Sequence, residues 1–194
     1  CKKRIYFLER SLKFVEVPLA GAYIIELEPF LDERGHFART FCQKELSKIG
    51  FDKQIVQINH SLTKQNGTVR GMHYQLPPAC EVKLVRCVQG QIFDVFVDLR
   101  ADSTTFKQWY GVKLSKDNMR MSYIPEGFAH GFQALTDNAE LFYLSSAFYN
   151  PEYEYGLRFD DPELAIKWPL PVSTISSKDQ SHPLIDSVFK GIEI

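Results

Sequence analysis

EVKLVRCVQGQIFDVFVDLR, residues 81–100, is the stretch on which the fold turns. Runs rich in Val, Ile and Phe lie on either side of Gln89-Gly90, the composition of two adjoining strands. Gly supplies the positive φ that a two-residue hairpin turn needs. The pairing this predicts sets Val88 against Gln91, Val85 against Asp94 and Lys83 against Phe96. Alternation then puts Lys83, Val85, Cys87, Ile92, Asp94 and Phe96 on one face, and Leu84, Arg86, Phe93, Val95 and Val97 on the other. The second face is mainly apolar. The first sets an ammonium diagonal to a carboxylate among apolar neighbours, and it reads in two ways. Lys83 and Asp94 could form a solvated surface pair worth about 0–1 kcal/mol. Alternatively the face lines a cavity in which the carboxylate keeps Lys83 charged.

Working outward, short segments of the same kind recur, with turn residues between them: GAYIIELEPF, KQIVQINHSL, TVRGMHYQ, KQWYGVKLS, HGFQALT and AELFYLSSAFY among others. Helical signals are few. QKELSKIG suits one short helix closed by Gly50, and the last 20 residues have room for another turn or two. Ten or so short strands predict an antiparallel sandwich or barrel.

The 194 residues suit one domain, with 44% hydrophobic and 24% charged residues; the 15 Phe and 9 Tyr favour a β-rich interior or an aromatic-lined cavity. The net charge of −1 offers no basic excess for nucleic acid. No apolar run reaches the roughly 20 residues that span a bilayer, so no membrane partner is expected. Cys1, Cys42, Cys80 and Cys87 show no CxxC pair and no zinc-type histidine spacing. They read as reduced thiols of a cytoplasmic protein, and the N-terminal stretch does not read as a signal peptide.

Among the histidines, His73 in RGMHYQ and His130 in PEGFAHGF have the strongest context. The Pro125-x-Gly127-x-x-His130 pattern resembles the second signature of the cupin superfamily of jelly-roll barrels. The first cupin signature carries two histidines, whereas here His73 is followed by Tyr74 and Gln75. An amide is a poor transition-metal ligand, so a metal held by His73, Glu81 and His130 is the lesser reading.

DERG near residue 32, QINHS at 57, RGMHYQ at 70, KLVRCVQG at 83, FDVFVDLR at 93, IPEGFAHGF at 124, DDP at 160 and SKD at 177 follow one another in order. Together they resemble the dTDP-4-dehydrorhamnose 3,5-epimerase family over nearly the whole chain after about residue 17. The resemblance implies an all-β, double-sheet jelly-roll (cupin) barrel with a few short helices. It implies one domain over 1–194, with a barrel core at about 20–150 and residues 151–194 closing over the site. It implies epimerisation at C3 and C5 of a nucleotide-linked 4-keto-6-deoxyhexose through an enolate, without cofactor or metal.

In the catalytic roles, the resemblance puts His73 as base, Asp179 as its carboxylate partner, Lys83 beside the keto oxygen and Tyr143 as proton donor. For substrate binding it implies Arg34, Arg39, Gln57, Asn59, Arg70, His130, Tyr149, Glu154 and Lys178. It also implies a homodimer with exchanged N-terminal strands, so that the DERG segment serves the neighbouring subunit. Arg39 stands where members often carry Glu, Leu144 where many have Lys, and Phe159 where Trp is frequent. These departures bear on which nucleotide is bound and whether C3, C5 or both are inverted. The alternatives are a single-carbon epimerase or one for another nucleotide sugar, a metal-dependent cupin, and a non-catalytic sugar-binding cupin.

Overall fold

The structure, a computed structural model, describes residues 11–194. The chain enters through β1 (Lys13–Glu16) and β2 (Tyr23–Glu26), then a separate hairpin of β3 (Phe30–Asp32) and β4 (Gly35–Phe37). α1 (Gln43–Leu46) continues as a 3-10 turn over Ser47–Ile49 and stops at Gly50, whose φ of 85° is left-handed. This is the short helix expected from QKELSKIG, closed by the glycine that can adopt that conformation. β5 (Gln57–Thr63), β6 (Val69–Gln75), β7 (Lys83–Gln89), β8 (Gln91–Asp98), β9 (Trp109–Ser115), β10 (Arg120–Ile124), β11 (Phe128–Ala134) and β12 (Ala139–Ser145) build the barrel. β13 (Glu154–Gly156) and α2 (Ser177–Gln180) lie in the C-terminal segment.

The strands form two antiparallel sheets, ordered β1-β2-β10-β7-β12-β5 and β13-β6-β11-β8-β9. They pack face to face as a jelly roll. The core between them takes Ile24, Val85, Cys87 and Leu141 from the first sheet, and Ile92, Phe96, Leu114 and Phe132 from the second. Each outer face is covered in part. Leu12, Leu46 and Phe51 pack on Ile25, Leu84 and Met121. Leu157, Leu164, Ile166 and Ile192 pack on Met72, Val95 and Val97.

One expectation fails here. β7 and β8 do not pair with each other. β7 lies between β10 and β12, with Val85 opposite Ser122 and Tyr143, while β8 lies between β11 and β9, with Asp94 opposite Phe132 and Val112. Gly90, at φ 70°, carries the chain from one sheet to the other, and a Cβ there would stand 2.3 Å from Thr136 Oγ1. The face assignment survives, because alternation is a property of each strand alone. Val85, Cys87, Ile92 and Phe96 all point into the barrel, towards one another across the two sheets. Leu84 and Val95 point to opposite outsides.

Cys42, Cys80 and Cys87 are free thiols, and burial pushes the Cys80 and Cys87 thiols up to about 11. Cys1 lies outside the described residues. No helix among the described residues is long and apolar enough to cross a membrane.

Candidate active site

Where the two sheets splay apart, a hollow of about 900 Å³ opens between them. β6 sends His73 into it, and the antiparallel register puts His130 of β11 directly opposite. From the facing sheet come Tyr143 of β12, Lys83 of β7 and Asn59 of β5. Tyr143 sits in register with Val85 on one side and Asn59 on the other. Barrel alternation therefore delivers an imidazole and a phenol to one space from opposite walls.

Asp179 stands behind His73. Its Oδ1 is 2.8 Å from His73 Nε2, and its Oδ2 accepts from the Gly71 backbone N–H at 3.1 Å. The carboxylate is buried, with 4% exposure. Burial works to raise its pKa, but hydrogen bonds from His73 and Gly71 outweigh that and hold it below the usual range. The backbone of Asp179 is fixed by the N-cap of α2, where Ser176 Oγ accepts from the Asp179 N–H at 3.0 Å. With Nε2–H donating to this carboxylate, Nδ1 of His73 is the nitrogen that can accept a proton.

Lys83 Nζ lies 3.0 Å from Glu81 Oε1, and both side chains are largely buried. This corrects the expected pairing of Lys83 with Asp94. Asp94 instead accepts from Ser122 Oγ at 2.6 Å and meets His130 Nε2 at 2.7 Å. The sheet crossing at Gly90 separates Lys83 from Asp94, so a register argument within one hairpin could not place either partner. Of the alternative metal set, Glu81 pairs with Lys83 and His130 with Asp94.

Tyr143 is half-buried. Burial first, and the Glu81 carboxylate second, raise its phenol above the ordinary value, with Arg70 opposing. At neutral pH it is therefore a phenol with a proton to give.

At the rim, Tyr149 O–H donates to Glu154 at 2.7 Å and Lys178 Nζ to the same oxygen at 2.6 Å. Burial raises the Glu154 pKa, yet these two bonds hold it low overall. Gln57 Nε2 donates to Asn59 at 3.1 Å, and its carbonyl accepts from the Tyr149 N–H at 3.2 Å. Arg70 lines the wall with its Nε on Thr63 Oγ1 at 3.1 Å.

Arg34 and Arg39 are not brought to this hollow. Arg34, 85% exposed, turns back on Asp32 between β3 and β4, while Arg39 is paired with Glu45 beside α1.

The sequence reading missed His182. Its ring packs edge-on against His73, with centroids 5.7 Å apart, and its Nε2 lies 3.9 Å from Asp179 Oδ1. Burial, then the neighbouring His73, lower its pKa. His73, Asp179 and His182 have ligand atoms within 4.8 Å of one another, close enough to share one cation. Gly156 closes on that ring from β13, where a Cβ would fall 2.3 Å from His182 Nε2. The arrangement is thus a hydrogen-bonded dyad with a second imidazole wedged behind it. The usable signal was that His182 follows Asp179 by only three residues, just past the end of α2.

A jelly roll with acid–base groups in its barrel belongs to the cupin-type enzymes, and the comparisons narrow this further. The family model described as dTDP-4-dehydrorhamnose 3,5-epimerase matches residues 16–187. The chain is 44% identical over 174 residues to dTDP-4-dehydrorhamnose 3,5-epimerase of Methanothermobacter thermautotrophicus, covering 88% of this chain and 93% of the relative. It superposes on the Bacillus anthracis dTDP-4-dehydrorhamnose 3,5-epimerase, solved with TDP and PPi bound, at a TM-score of 0.87 and 40% identity, covering 90% of this chain and 100% of that one. The Legionella pneumophila dTDP-6-deoxy-D-glucose-3,5-epimerase, in complex with dTDP-4-keto-L-rhamnose, gives a TM-score of 0.87 at 38% identity, covering 95% and 99%. The chain belongs to the dTDP-4-dehydrorhamnose 3,5-epimerase family, and is an isomerase by class.

Proposed function

We propose that the protein epimerises C3 and C5 of dTDP-4-dehydro-6-deoxyglucose to give dTDP-4-dehydro-L-rhamnose. The observation that carries this reading is the carboxylate-backed His73 facing Tyr143 across one hollow, with the Lys83 ammonium in its wall.

The ketone at C4 acidifies the hydrogens on C3 and C5. Nδ1 of His73 takes one of them, and the C–H electrons move into the carbonyl to leave an enolate oxygen. Asp179 stabilises the imidazolium that forms. Lys83 offsets the oxyanion charge, an interaction stronger in the transition state than in the ground state. Tyr143 then gives its proton to the opposite face of the same carbon, and the carbonyl re-forms with that centre inverted. Solvent restores both groups before the second carbon reacts. No electrons leave the sugar, so the reaction asks for no redox cofactor.

Arg70, Gln57, Asn59 and His130 supply polar contacts to the substrate. The Tyr149 ring, 54% exposed at the rim, offers a face on which the base can stack, with Glu154 and Lys178 holding it. Residues 151–194 close the site within one domain, and the free buried thiols fit a cytoplasmic enzyme.

The working unit in this proposal is a homodimer that exchanges N-terminal strands. Leu31 and Phe37 of the β3–β4 hairpin are 77% and 66% exposed. Ile58, Leu62 and Phe142 form a second apolar patch on β5 and β12, beside Arg86, whose buried Nε meets no acceptor among the described residues. A second copy would cover these surfaces and receive Arg34 and Arg39 near its own hollow.

Incubation with the substrate in deuterated water tests the chemistry. Two carbon-bound deuterons per product are expected. One deuteron points to a single-carbon epimerase, and none rejects this substrate. Light scattering should report twice the chain mass, and a monomer would overturn the dimer.

A further inference from the structure

Glu81 is the charged group of the hollow that the proton-transfer scheme does not use. It precedes β7, is 12% exposed, and meets Lys83 Nζ at 3.0 Å. It shares the hollow with Tyr143, on which it acts electrostatically. An enolate-forming site carries a conflict here. The cation that steadies the oxyanion also favours a phenolate, yet the same site needs a phenol to deliver a proton. The other titratable groups of the hollow's walls are Arg70, His73 and Tyr74 on β6, Lys83 on β7 and His130 on β11, with Tyr149 at the rim. β5 presents the neutral Asn59 at the paired position, and Asp179 lies behind His73. Glu154 and Lys178 neutralise each other at the rim. Glu81 is thus the carboxylate placed to balance the cations on the Tyr143 side.

We propose that Glu81 is a positioning residue: it anchors the Lys83 ammonium where the keto oxygen develops charge, and its own charge adds to burial in holding Tyr143 in the proton-donating form. This rests on the reaction proposed above, although its electrostatic half can be read without substrate. The anchoring half follows from burial. A flexible four-carbon stem in a wide hollow has no fixed direction unless a partner holds its head, and removing that partner leaves a buried cation uncompensated. The second half follows in sign from the charges alone. Deleting the negative charge of Glu81 leaves Arg70 unopposed, and a cation favours the phenolate.

The test uses Glu81→Gln and Glu81→Asp in the full chain. Proteins labelled with tyrosine enriched at the ring Cζ are titrated by carbon NMR, with the Tyr143 signal identified by its loss in Tyr143→Phe. The Tyr143 midpoint should fall by about half a pH unit or more in Glu81→Gln and stay near wild type in Glu81→Asp. With the keto sugar, the alkaline limb of kcat should fall with it in Glu81→Gln, while KM changes less than threefold. Glu81→Asp keeps the charge but shortens the reach, so it should lose kcat without moving the limb. An unmoved midpoint in Glu81→Gln overturns the proposal. Should the Gln variant not fold, a Glu81→Asp that keeps wild-type kcat overturns the anchoring role and with it the proposal. A wild type that fails to turn over the sugar, with the midpoint shift present, rejects the proposed reaction and leaves the electrostatic role standing.

Discussion

Asp179→Asn offers the sharpest trial of the dyad. The wild-type carboxylate accepts twice, Oδ1 from His73 Nε2 at 2.8 Å and Oδ2 from the Gly71 N–H at 3.1 Å. Asparagine has one acceptor oxygen, so one of those donors must face an NH₂ group. The backbone N–H of Gly71 cannot become an acceptor, and leaving it buried without a partner costs about 1–3 kcal/mol. The imidazole can adapt by moving its proton from Nε2 to Nδ1. The amide oxygen therefore stays on Gly71 and the NH₂ turns to His73. That tautomer carries its proton on the nitrogen needed as base. The same fault in a serine-protease triad lowers kcat by about 10⁴. Here the lost charge on the imidazolium acts in the same direction, so kcat should fall roughly 10³–10⁴-fold, or about 4–5.5 kcal/mol of barrier. KM should change little, because the contacts at the rim are untouched. Deuterium wash-in at C3 and C5 measures the rate, and nitrogen NMR of the labelled imidazole reads the tautomer. Turnover above a tenth of wild type, or a His73 that keeps its proton on Nε2, refutes the reasoning.

Three further outcomes follow from the geometry. Tyr143→Phe should cut epimerised product by about 10²–10⁴-fold, while His73 still exchanges sugar hydrogens with deuterium and returns them to the same face; full inversion in this variant would remove Tyr143 from its role. Gly156→Ala would set a Cβ 2.3 Å from His182 Nε2, and an overpacking cost of about 2 kcal/mol should lower the melting temperature by roughly 4–8 °C; an unchanged melting temperature would show that the ring moves freely. Asp98 is fully buried, and although burial raises its carboxyl pKa, bonds from Arg100, Ser103 and Thr105 hold it low. Its folded value lies below the unfolded one, so its contribution is complete above about pH 4 and lost as pH falls through the folded value. Asp98→Asn should therefore cost about 2–3 kcal/mol in urea unfolding at pH 7, with the gap closing in more acid buffer; a gap independent of pH would sink the assignment.

The strand faces of the barrel were legible because alternation is local. Lys83, Val85, Cys87, Ile92 and Phe96 needed only a period of two. The strand partners were not legible, because Gln89-Gly90 has the same chemistry whether it closes a hairpin or crosses between sheets. The error then passed into the ion pairs, matching Lys83 with Asp94 when each had a nearer partner elsewhere. The short β1 and β13 escaped notice because KFVE and EYG carry too few residues to show a pattern. His73, Lys83 and Asp179 were found through ordered motifs and Tyr143 through the family resemblance of AELFYLSSAFY, since no periodicity links residues so far apart in the chain. His182 belongs to none of those motifs. Arg34 was matched by motif as well, and Arg39 by its position despite the departure from Glu, but the hairpin and α1 hold them outside the chain's own hollow.

The carboxylate behind His73 comes from a segment 106 residues further along the chain. Translation proceeds from the N-terminus, and a nascent polypeptide that has emerged only as far as β12 already carries the imidazole, the ammonium and the phenol. It has no Asp179 to orient the imidazole. The dyad is therefore completed only when the stretch around α2 has been made and has docked behind β6.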